Sequence, residues 1–119
     1  MADFSSLVGE IIMKLEVNAD EDEINILTLS DKKFRMYHTQ DCCESVYVES
    51  IVGDIEDVLY TPVLSAEEVN SYDNPIGEYE ESHTWTFYKI DTKNGGITIR
   101  WYGSSNGYYS ERVDFDRIV

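Results

Sequence analysis

A chain of 119 residues with 42% apolar and 13% aromatic side chains has the size and composition of one domain with its own core, which excludes a disordered segment or a disulfide-stapled miniature. Twenty-four acidic residues against nine lysines and arginines give a net charge of −15, and this excludes nucleic acid and anionic membrane as direct partners, since both are bound by neutralising phosphates with basic side chains. No apolar run reaches the roughly 18 residues that span a bilayer, and Met1-Ala2-Asp3-Phe4 lacks the basic start of a secretory signal, so a cytoplasmic location is expected.

In chain order, residues 11–17 alternate so that Ile11, Met13, Leu15 and Val17 share one face and Ile12, Lys14 and Glu16 the other, the pattern of a half-buried strand. The polar turn 18–22 leads to a second strand over 23–29, and 30–33 turns into a third over 34–38. Period-two alternation puts Phe34, Met36 and His38 on one face, so the imidazole sits at the edge of an apolar surface. Residues 45–52 form the next strand and Gly53 ends it. Asp54 then caps a short helical turn over 55–59, which Pro62 stops. Residues 63–69 fit strand or helix, and 70–77 are loop by their turn formers.

The last third is two strong strands, 84–90 and 97–102, joined by 91–96 with its Asn-Gly hairpin signal. His83 shares a face with Trp85 and Phe87. Residues 103–107 make a loop of small side chains that fits no phosphate-binding pattern, and 108–115 close the chain as a strand or short helix. Long helical periodicities are absent, which argues against a doubly wound fold. The expected fold is α+β and strand-rich: a single domain over residues 1–119, with a curled antiparallel β-sheet around an aromatic core and one or two short helices. Most tyrosines and tryptophans are assigned to the core, while Tyr102, Tyr108 and Tyr109 form a candidate binding patch.

The segment 37–44, Tyr-His-Thr-Gln-Asp-Cys-Cys-Glu, gathers imidazole, carboxylate and both thiols of the chain. Thiolate and imidazole are the side chains that hold zinc, and carboxylate can complete the set. His38, Asp41, Cys42 and Cys43 are the expected ligands, with Glu44 or His83 as substitutes. Cys42 and Cys43 would point to opposite faces of an extended strand, so both reach one ion only if the chain turns sharply there. A closed tetrahedral set would be structural rather than catalytic.

The acidic excess is concentrated, because no lysine or arginine lies between Arg35 and Lys89. That interval supplies the residues expected to meet a partner: Glu56, Asp57, Glu67, Glu68, Glu78, Glu80 and Glu81. A basic protein surface is the natural complement of such a stretch, and solubility alone is the competing explanation.

The runs YHTQDCCESVYVESIVGD, TWTFYKI and IRWYGSSNGYYSERVDF resemble a family of small phage and prophage proteins. That family shares a Tyr-His-x-Gln-Asp-Cys-Cys-Glu core and a Trp-Tyr-Gly-x-Ser-Asn-Gly-Tyr-Tyr-Ser segment, and the resemblance covers the chain from residue 7 onward. The chain also resembles type II-A anti-CRISPR proteins, phage-encoded inhibitors of Cas9. This resemblance implies a bound metal ion, zinc, at the cysteine core. It also implies stoichiometric binding to Cas9 with its guide RNA, so that target DNA is denied loading or cleavage, in the cytoplasm of a bacterial host. No catalytic residues are expected. Two alternatives stay open: an acidic regulator of another basic host protein, and a metal- or thiol-dependent hydrolase using Cys42 or Cys43 with His38, or Glu44 or Glu49 as base. The hydrolase lacks an orienting group, and acidic surroundings raise a thiol pKa when activation needs it lowered.

Overall fold

The computed structural model describes residues 4–39, 44–73, 82–105 and 112–118. Eight strands form among them: β1 (Ile12–Val17), β2 (Glu23–Thr28), β3 (Lys33–Tyr37), β4 (Ser45–Val52), β5 (Ser65–Asp73), β6 (Ser82–Thr92), β7 (Gly95–Ser105) and β8 (Asp114–Arg117). Every pairing between them is antiparallel. The strand-rich architecture is as expected, but the strands divide into two four-stranded sheets, ordered β1-β2-β3-β8 and β4-β7-β6-β5. The division arises at β3. Its second edge is taken by β8, with Met36 opposite Phe115, so β4 pairs with β7 instead of extending the meander.

The two helical pieces are single 3-10 turns, Phe4–Leu7 and Ile55–Val58. The second is capped as its sequence predicts: the Asp54 carboxylate accepts from the Glu56 amide at 3.2 Å. Of residues 63–69, 65–69 form the start of β5, which continues through Asp73 where a loop was expected. Gly103–Ser105 likewise extend β7. In both places the backbone pairs with β6, Asp73 with His83 and Ser105 with Ser82, so the ladder overrides local turn preference. Residues 74–77 and 106–111 lie outside the described residues. No described helix is long and apolar enough to cross a membrane.

One hydrophobic core serves both sheets. Ile24, Ile26, Phe34 and Met36 enter it from the first, and Tyr88, Ile90, Ile99 and Trp101 from the second, each at most 2% exposed. Phe4 ties them together, with its ring 4.7 Å from Tyr88 on β6 and 5.3 Å from Phe115 on β8. Burial pushes the Tyr88 phenol far above its ordinary pKa, with the nearby Glu68 carboxylate adding to the effect. In β1 the face assignment from alternation fails, because a register shift between Ile12 and Lys14 turns Ile12 inward with Leu15 and leaves Met13 half-buried. A bulge adds one residue and reverses parity beyond it.

Two local devices fix how the turns meet the sheets. Gly53 follows β4 at φ +101°, where a Cβ would lie 2.6 Å from the Gly96 carbonyl oxygen, so only glycine fits. Glu10 clasps the β2–β3 turn to the start of β1, accepting from Ser30 Oγ at 2.7 Å and Lys32 Nζ at 2.9 Å. The Lys32 hydrogen bond, then that of Ser30, holds the Glu10 carboxyl below its ordinary range. A depressed carboxyl pKa stabilises the fold above the unfolded value and loses that contribution as pH falls through the folded one. Glu10→Gln is therefore expected to be slightly less stable than the parent at neutral pH. The gap should close in urea melts repeated below about pH 4.

Candidate functional site

The two faces of β6 carry different chemistry. Thr84, Thr86, Tyr88 and Ile90 point into the core, while His83, Trp85 and Phe87 lie half-buried on the other face. On β7, Trp101 is inward and Arg100 and Tyr102 outward. Register aligns Tyr47, Tyr102 and Trp85 in one row across β4, β7 and β6, and Arg100 and Phe87 in the next. An aromatic surface results on the solvent side of the second sheet. Tyr102 is its centre, with ring centroids 5.8 Å from Tyr47, 4.8 Å from Trp85 and 5.7 Å from His83.

Polar contacts hold this surface in place. The Tyr102 hydroxyl and His83 Nδ1 share a hydrogen bond of 2.5 Å. Arg100 lies 4.9 Å over the Trp85 ring and 3.3 Å from a Glu49 carboxylate oxygen. Tyr47, Glu49, His83, Trp85 and Tyr102 surround an open hollow of about 350 Å³. Of the expected patch of Tyr102, Tyr108 and Tyr109, Tyr102 lies on this surface, and Tyr108 and Tyr109 lie outside the described residues. Alternation correctly placed His83 with Trp85 and Phe87. It did not reveal that this face is the outer one, so Trp85, Phe87 and Tyr47 were missed. The β-branched set Thr84, Thr86 and Ile90 on the opposite parity was the available signal.

His38 continues the inward face of Phe34 and Met36, as expected, and its side chain is only 4% exposed. Nδ1 donates to the Arg112 carbonyl at 2.6 Å. Nε2 faces a Glu44 carboxylate oxygen at 3.2 Å, and the Glu44 side chain is 0% exposed. That contact is an ion-pair distance, but Nε2 makes no hydrogen bond. The spacing also suits a metal, because two donors at tetrahedral zinc distances of about 2.0–2.1 Å are about 3.3 Å apart. Among the described residues no third His, Cys, Asp or Glu joins them. Asp41, Cys42 and Cys43 lie outside the described residues. His83 is committed to Tyr102 on the aromatic surface.

A family model described as a domain of unknown function, DUF7448, matches residues 5–115. The chain belongs to the DUF7448 family. Neither the curated proteins nor the solved structures contain a match.

In this DUF7448 domain the described acidic residues singled out by sequence sit on two elements, the second 3-10 turn and β5. Glu56 and Asp57 are exposed on the second 3-10 turn, where the Thr92 hydroxyl donates to the Asp57 carbonyl at 2.9 Å. Glu67 and Glu68 are exposed on β5, an edge strand. Glu67 is opposite Lys89, while Glu68 takes the other face and accepts from the Tyr88 hydroxyl at 3.4 Å. Charges on an edge strand also guard it against pairing with another chain. Glu78, Glu80 and Glu81 lie outside the described residues.

Proposed function

We propose that the chain is a docking protein that binds a basic protein partner stoichiometrically and performs no chemistry on it. The observation that carries this reading is the row of outward aromatic side chains Tyr47, Tyr102 and Trp85 in a chain of net charge −15. Half-exposed tyrosine and tryptophan in a charged surround are the side chains from which binding hot spots are built. The chain's excess of carboxylates speeds encounter with a cationic surface and repels nucleic acid. The partner we propose is Cas9 with its guide RNA, following the resemblance to type II-A anti-CRISPR proteins. A Cas9-type enzyme has basic channels that normally meet phosphate, and an acidic domain can occupy them. The direct test is a target-DNA cleavage assay with increasing amounts of the protein. Inhibition should saturate near one equivalent and weaken at high salt, whereas undiminished cleavage at excess protein contradicts the Cas9 assignment. Capture of another basic host protein that is lost on charge reversal would instead favour the regulator.

We also propose a structural zinc ion held by His38 with Asp41, Cys42 and Cys43. The facing of His38 Nε2 and the Glu44 carboxylate supports it and favours Glu44 as an alternative oxygen donor to Asp41. Zinc would cross-link the end of β3 to the start of β4 and so join the two sheets covalently. A chelator is then expected to lower the melting temperature by at least about 5 °C. An unchanged melting curve in excess chelator argues against the ion.

A further inference from the structure

We infer that the hollow on the outer face of the second sheet is a receptor for one cationic side chain, a lysine or arginine of a basic protein. The identity of that source rests on the docking reading, but the chemistry of the hollow does not. Its walls are Tyr47, Tyr102 and Trp85, and their rings are inclined by 66° and 54° at the two contacts. All three rings line the hollow, and the face of an aromatic ring carries the negative lobe of the quadrupole that attracts a cation. Glu49 adds a carboxylate to the same wall.

The chain already shows what this wall holds. Arg100 places its guanidinium 4.9 Å above Trp85 while pairing with Glu49 at 3.3 Å. Ring and carboxylate therefore act together on a cation supplied from within. The hydrogen bond between Tyr102 and His83 fixes the central ring, so the cage is formed before anything binds and little ordering opposes occupancy. A volume of about 350 Å³ accommodates an alkylammonium or guanidinium head. The net charge of −15 favours that cation over a neutral or anionic guest.

The test uses the whole chain and small probes, so it needs no macromolecular partner. Blocked lysine and blocked arginine are titrated while the two tryptophan indole N–H resonances are followed by NMR. The Trp85 signal is expected to move saturably with a dissociation constant of roughly 1–100 mM, and that of Trp101, 1% exposed, to stay still. Glu49→Gln should weaken binding about threefold. Arg100→Gln should tighten it about threefold by releasing Trp85 and Glu49 from the resident cation. A merely structural Arg100 would not give that gain. Equal shifts with blocked norleucine or cellobiose, or no tightening in Arg100→Gln, overturn the inference. Failure here leaves the docking proposal to its own assay, and lysine binding without any basic partner would sink only the docking proposal.

Discussion

Replacing Glu44 by alanine is expected to remove about 3–5 kcal/mol of stability, the cost of stranding one member of a buried polar pair. The neighbourhood makes this severe. The His38 ring is pinned through Nδ1 to the Arg112 carbonyl and its side chain is 4% exposed, so Nε2 cannot swing out to water. The double replacement His38→Leu with Glu44→Leu separates the two physical accounts of the pair. A buried ion pair exchanged for well-packed apolar groups is often neutral or stabilising, and stability would then return towards the parent value. A zinc set in which Glu44 takes the place of Asp41 would lose its ion with either change, and the double variant would stay destabilised. We expect the second pattern, read by urea unfolding together with zinc per chain from elemental analysis. Recovery in the double variant, with a metal-free parent, would assign the site to an ion pair alone.

The two tryptophans are expected to fail in opposite ways. Trp101 is 1% exposed in the middle of β7 and packs within the shared core. Trp101→Ala should therefore cost about 3–5 kcal/mol through lost transfer energy and the cavity left behind. For a domain of this size that is a large part of the total, which is typically about 5–15 kcal/mol. Trp85 is half-buried on the outer face, against Phe87, Tyr102 and Arg100. Trp85→Ala should cost about 1 kcal/mol of stability or less. It should nevertheless weaken partner binding about 30-fold or more, since aromatic hot spots are worth at least about 2 kcal/mol. Chemical denaturation and a binding titration on the same two variants read both halves. If Trp85→Ala binds like the parent, the outer face is not the contact surface.

What could be read from the residues, and what could not, follows from the meaning of alternation. Period two reports which residues share a face, and it did so for Phe34, Met36 and His38 and for His83, Trp85 and Phe87. It does not report which face is inward. The aromatic set on β6 therefore passed for core until Thr84, Thr86 and Tyr88 were seen to hold the inner side. Parity is also lost across a bulge, which is why Ile12 and Leu15 share the core side of β1. Turn formers such as Asn70, Asp73 and Gly103 mark loops only when no ladder claims them, and β6 claims all three. Sheet membership depended on a contact distant in sequence, β8 on β3. No local pattern encodes that choice. The meeting of His38 with Glu44 joins residues close in the chain, whereas Glu49 and Arg100 meet Trp85 only after three strands have paired.

The central claim is that this acidic domain docks a basic partner through the outer face of its second sheet. A calorimetric titration into Cas9 loaded with guide RNA tests it most directly, run near 0.15 M salt and again at about 0.5 M, with the parent and Trp85→Ala side by side. The account predicts saturation at one equivalent by the parent, weaker binding at the higher salt and a further large loss in the variant. Absence of heat from the parent at both salts, or binding indifferent to both salt and Trp85, contradicts it.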